Sequence, residues 1–281
     1  MNESELELQF GDPLWLTPRL HIKQPTIEEV KMMKGKYEKY LSLLITQSRD
    51  IADALWVEAN IFYEDIKSEW LFFVKNCIVN GEAAPIYVLK NDSYIQMNDA
   101  GLVINKEYID ALNYFFETSG IWFTSSITAG DIQQFVLVNA KEKNGIYYLD
   151  SEDKPLQINE SVYNNMVDGL SKLNWIKKEY KFTNGGTKDA ITYVLEMEYK
   201  KRKKKKKDRI TTSTIFSSLV AKGHRYADVK TYPVYFFYES YFRLLKISEY
   251  ENTMQALYNG CIDTKSHPIN YEKIDWSSII K

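Results

Sequence analysis

The chain has 281 residues, 44% hydrophobic and 26% charged, so it can bury a sizeable core without staples and is too apolar for wholesale disorder. With 36 basic residues against 38 acidic ones, the net charge of −2 excludes a global field steering it to nucleic acid or to an anionic membrane. Cys77 and Cys261 make no disulfide framework and read as reduced thiols of a cytoplasmic protein.

The first residues, MNESELELQFGD, are acidic and lack the basic and apolar regions of a signal peptide. Leu6, Leu8 and Phe10, then Leu20 and Ile22, alternate weakly around Gly11-Asp12-Pro13, which predicts two short extended segments with a turn over residues 5–24. After Pro25, Thr26 and Glu29 form a capping box. Val30, Met33, Tyr37, Tyr40, Leu41 and Leu44 follow at helical spacing, so a helix is expected to about residue 46. Helices over residues 51–59 and 65–78 complete an N-terminal unit, the second with Ile66, Trp70, Phe73, Val74 and Cys77 on one face. Residues 70–79 are the most apolar stretch, but Lys75 and Asn76 interrupt it and it is half a bilayer span at best, so no membrane partner is expected.

The pattern then shortens. Residues 85–90 and 93–97 are strand candidates, Asn98-Asp99-Ala100-Gly101 is turn chemistry, and Asn105 caps a helix carrying Ile109, Leu112, Phe115 and Phe116. Residues 135–139 and 145–149 read as a hairpin around a polar segment at 141–144. Helices return with Val162, Met166, Leu170 and Leu173; Asn184-Gly185-Gly186 breaks the pattern, and Ile191, Val194, Leu195 and Tyr199 resume it. The last pattern starts at Pro233 and runs through Phe237, Tyr241, Leu244, Leu245, Met254, Leu257 and Tyr258 to Gly260, a natural C-terminal cap. No repeat is visible. The expectation is an α+β protein, mainly α, whose helical N- and C-terminal parts share a core around a small strand-containing insertion. Its segments are 1–79, 80–160 and 161–281, with a basic linker at 200–207.

The most conspicuous chemistry is Lys200, Lys201, Arg202, Lys203, Lys204, Lys205, Lys206 and Lys207. Such a run can bind a polyanion or an acidic protein, or be a solvated linker. It lacks the interleaved aromatics of a single-strand site, and like charges at i,i+4 oppose a helix. Cys261, Asp263 and His267 fall short of a structural zinc pattern, and His21 and His224 have no spaced partners. No nucleophile elbow, phosphate loop or dinucleotide fingerprint is present, so neither an enzyme nor a cofactor is expected. The 21 tyrosines, each with an apolar face and a polar tip, suit wet interfaces or a tyrosine-rich core.

Two segments carry a resemblance. One is LHIKQPTIEEVKMMKGKYEKYLSLL (residues 20–44), with Pro25, Thr26 and Glu29 in its helix start, followed by SEWLFFV ending at Val74. The other is residues 216–276, with Tyr232-Pro233 before an aromatic helix, Gly260, Ile262-Asp263, Lys265 and Trp276. Together they resemble proteins encoded in the tail-gene clusters of phages of low-GC Gram-positive bacteria, some of them tail assembly chaperones. The resemblance implies a non-enzymatic tail morphogenesis protein of the infected cell's cytoplasm, with tape measure, tube or baseplate subunits as partners. The alternatives are a permanent baseplate or tail component of the virion, and a nucleic-acid-binding module using the lysine run. Gly260 is expected to close the last helix, with Ile262, Ile274 and Trp276 packing back onto it.

Overall fold

A computed structural model describes residues 3–45, 69–78, 82–84, 86–90, 93–96, 101–118, 121–124, 134–138, 140–143, 146–150, 156–176, 210–262, 269–270, 274–275 and 277. Among these, helix exceeds strand, and the protein is α+β, mainly α. It divides into two compact units, each built from separated stretches of chain. The C-terminal unit comprises Met1–Asp12, Pro25–Met32 and Asp208–Lys281; the central unit comprises Pro13–Gln24 and Met33–Lys207. Their limits do not coincide with changes of pattern at 79/80 and 160/161, because compactness is set by which faces bury one another rather than by chain order.

Helix α1 (Glu3–Phe10) occupies a stretch expected to be extended. Leu6 and Phe10 are exposed and Leu8 alone is buried, so the apparent alternation carries one core residue, and Glu and Leu are good helix formers. The hairpin lies further on: β1 (Leu14–Thr17) pairs antiparallel with β2 (Leu20–Ile22), turning at Pro18-Arg19 and not at Gly11-Asp12-Pro13. The helix expected to reach residue 46 is two, α2 (Ile27–Met32) and α3 (Lys36–Leu44). Lys34 and Gly35 stand between them in left-handed backbone, with φ of 50° and 84°. Gly35 adopts that conformation at little cost, which is why the chain breaks there. Helix α4 (Glu69–Ile78) follows; the helix expected at 51–59 lies outside the described residues.

The strands are β3 (Glu82–Ala84), β4 (Ile86–Lys90), β5 (Ser93–Gln96), β6 (Gly101–Val103), β7 (Ile121–Thr124), β8 (Gln134–Val138), β9 (Ala140–Lys143), β10 (Ile146–Asp150) and β11 (Leu156–Asn159). Helix α5 (Lys106–Phe116) interrupts them, and α6 (Glu160–Leu173) ends the described part of the central unit. They form a five-stranded sheet, β11-β8-β7-β6-β3, and a four-stranded one, β5-β4-β10-β9. The expected hairpin of residues 135–139 with 145–149 does not form. Strand β8 lies between β11 and β7, while β10 pairs antiparallel with β9 and parallel with β4. The segment read as a polar connection supplies β9 instead, and its Lys-Glu-Lys sequence is what an edge strand tolerates. The break at 184–186, the helix after it and the lysine run lie outside the described residues. In the C-terminal unit, α7 (Thr212–Ala221) and α8 (Tyr226–Thr231), which the periodicity did not reveal, precede α9 (Val234–Tyr258).

The central unit's core joins α3, α4, α5 and α6. Tyr163 stacks on Phe73 with ring centroids 4.6 Å apart and donates to the Leu44 carbonyl at 3.3 Å, while Tyr37 donates to Asn174 Oδ1 at 2.6 Å. The hairpin is fastened on both sides: Lys23 N–H donates to the Phe115 carbonyl at 2.7 Å, and Ile22, Leu14 and Leu16 crowd over Gly169 on α6.

Candidate functional site

The two helix starts singled out in the sequence, at Thr26 and Pro233, meet in the C-terminal unit. Thr26 and Pro233 form an antiparallel bridge: Ile27 N–H donates to the Tyr232 carbonyl at 3.1 Å, and Val234 N–H donates to the Pro25 carbonyl at 3.0 Å. In such a pair the facing residues' own amides point away from the partner strand. Pro233, which has no amide proton, therefore sits where none is needed. The Thr26 amide is also left over by the bridge, and Glu29 Oε2 accepts from it at 2.8 Å while Thr26 Oγ1 accepts from Glu29 N–H at 3.3 Å. The capping box thus does two things: it starts α2 and satisfies the donor that the bridge does not use.

Helix α2 sends Ile27 and Val30 into the unit's core, which contains Ile215 and Leu219 of α7, Val229 of α8, and Val234 and Phe237 of α9. From the N-terminus, α1 adds Leu8 and packs along α9. At Gly11 (φ 90°) an added Cβ would come within 2.8 Å of Pro233 Cγ. Tyr232 makes a 2.9 Å hydrogen bond through its hydroxyl to His224 Nδ1 and meets Phe236 edge to face at 4.8 Å. Burial, and then the Asp228 carboxylate, push its phenol pKa up. At the second position of α9, Tyr235 is buried, and burial, Glu5 of α1 and Glu239 raise its pKa. Glu239, buried itself, accepts from Arg243 Nη2 at 2.9 Å and Nε at 3.2 Å through one oxygen.

Gly260 stands apart at the far end of α9, as its C-terminal cap. With φ 68°, it donates to the Leu257 carbonyl at 3.0 Å while Cys261 N–H reaches back to Ala256 at 2.8 Å, the paired bonds of a Schellman end. Gly223 ends α7 the same way, its amide bonded to Val220 and that of His224 to Leu219. Asp263, Lys265, Trp276 and all eight residues of the basic run lie outside the described residues; Ile262 and Ile274 are half-buried. The structure thus brings Pro25, Thr26, Glu29 and Pro233 together and places Gly260 elsewhere. Gly11, Glu239 and the backbone carbonyl of Tyr232 were not singled out as contacts: a glycine beside Asp-Pro reads as a turn, and a backbone acceptor leaves no signature in sequence.

Among the described residues no group of three His, Cys, Asp or Glu side chains could hold a metal ion, and no helix is long and apolar enough to cross a membrane. Cys77 is fully buried and its thiol pKa is pushed well up by that burial, whereas Cys261 is exposed. Among the described residues, the exposed large hydrophobic side chains other than Trp15 lie in the C-terminal unit: Leu6, Phe10, Met32, Ile210, Tyr226, Leu245 and Tyr258.

Residues 202–281 match the family model of the YomV second domain, a phage-derived family. The match is consistent with a phage protein. No curated protein and no solved structure matches the chain.

Proposed function

We propose that this is a non-enzymatic phage tail morphogenesis protein, a tail assembly chaperone that holds tape measure or tube subunits in the host cytoplasm. The observation that carries this reading is a coincidence of place. The part of the chain that matches a phage-derived family also supplies Ile210, Tyr226, Leu245 and Tyr258, exposed apolar side chains of the kind that engage a partner. An amphipathic or apolar helix is captured by such surfaces through side-chain burial alone, without a reactive group. The described chemistry is in keeping with that: a buried thiol, tyrosines held protonated, and carboxylates tied into caps and ion pairs. Mass spectrometry of purified virions tests the reading. A chaperone is absent from mature particles while co-purifying with tail subunits from infected cells; presence in fixed copy number would make it a baseplate or tail component instead.

A further inference from the structure

We infer that residues 208–281 carry a docking surface for a short segment of the form Pro-Thr-Ile-x-Glu-Val, filled in cis by Pro25–Met32, and that this non-covalent contact holds the C-terminal unit together. The segment is part of the C-terminal unit although the residues on either side of it, Gln24 and Met33, are assigned to the central one. Its recognition has three parts. The backbone is read by the two bonds at Tyr232 and Val234, and Pro25 offers no amide to extend the ladder. The side chains are read by burial of Ile27 and Val30, which face inward at i and i+3. The turn between them is fixed by the Thr26–Glu29 box, a local contact that lowers the ordering cost of docking. The 202–281 region that matches a family model is, on this view, an incomplete folding unit: its core borrows Ile27 and Val30, with Leu8 from α1.

The test cuts the purified full-length chain at a protease site inserted between Lys203 and Lys204. The two products are expected to co-elute in gel filtration at micromolar concentration. Unfolding of the C-terminal unit, followed by tyrosine and tryptophan fluorescence, then becomes bimolecular, so its midpoint rises with protein concentration after the cut and not before it. In the cut protein, Ile27→Asp with Val30→Asp releases the C-terminal product. Separation of the unmutated products overturns the inference. So does a melting midpoint after the cut that is independent of concentration, which would mean that 208–281 folds without the segment. Continued co-elution of the double variant overturns it equally.

Discussion

At the scale of single residues, two glycines separate backbone strain from crowding. Gly223 and Gly11 both have left-handed φ, 102° and 90°, but an added Cβ at Gly223 meets nothing within 4 Å, while at Gly11 it reaches Pro233 Cγ at 2.8 Å. Gly223→Ala is therefore expected to cost about 1 kcal/mol, the conformational term alone. Gly11→Ala adds displacement of a ring that the Thr26 bridge holds, for a total of about 2–3 kcal/mol. Urea midpoints of the two variants check the order, and equal losses would mean that Pro233 gives way freely. Protonation adds a second residue-level effect. Burial first, then the Cys77 and Glu107 charges, raise the Tyr108 pKa, and burial also raises that of Tyr235. A raised acid keeps its proton longer in the folded state. Its contribution is thus fully present below the unfolded value of about 10 and is lost as pH rises above it, because the unfolded chain ionises first. Melting temperature should fall between pH 9 and 11, and Tyr108→Phe should make that fall shallower.

At the scale of elements, local chemistry was legible and pairing was not. Asn105 caps its helix as expected, accepting from the Glu107 amide at 2.9 Å, and Gly260 takes the left-handed cap; each is decided within a few residues. The partners of β8 and β10, and the contact of Pro25 with Val234, depend on distant chain that no local pattern names. Helix α1 departs from the extended segment expected there because its short alternation is shared by a strand and by a helix that buries one side chain. Helix α6 shows how a single position governs the docking of an element. An added Cβ at Gly169 would lie 2.5 Å from Ile22 Cδ1, 3.1 Å from Leu14 Cδ2 and 3.2 Å from Leu16 Cδ2. In an isolated helix Gly→Ala gains about 1 kcal/mol. Here the terminal methyls of Ile22, Leu14 and Leu16 must shift, Ile22 within a fully buried site, and overpacking of this kind costs about 1–3 kcal/mol, so Gly169→Ala should be net destabilising. Ile22→Val in the same chain removes the nearest methyl and should recover part of the loss; no recovery would place the strain elsewhere. The Thr26 box is the second element-scale case. Thr26→Ala removes both its hydroxyl contacts and should cost about 1 kcal/mol.

At the scale of the whole molecule, the question is whether the basic run overrides a chain that is otherwise acidic. Eight consecutive positive residues sit in a protein of net charge −2, so the remainder carries a marked negative excess that opposes any polyanion drawn to the run. The run also ends at Lys207, the last residue assigned to the central unit, with Asp208 the first of the C-terminal stretch. Each phosphate neutralised on duplex DNA contributes about −0.9 to the log–log dependence of affinity on salt, so a contact made by the run alone weakens steeply as ions are added. Near 0.15 M salt the screening length is about 8 Å, and a run of lysines without stacking aromatics holds little under those conditions. The expectation is weak retention on heparin or duplex DNA at about 0.02 M salt, abolished when the eight residues are replaced by Gln, and none at about 0.15 M. The same Gln variant should leave the melting temperature unchanged, because the Thr26–Pro233 bridge does not use the run. Retention of the unmutated protein at 0.15 M salt that disappears in the Gln variant would sink this account and make nucleic acid, rather than a tail subunit, the partner to pursue.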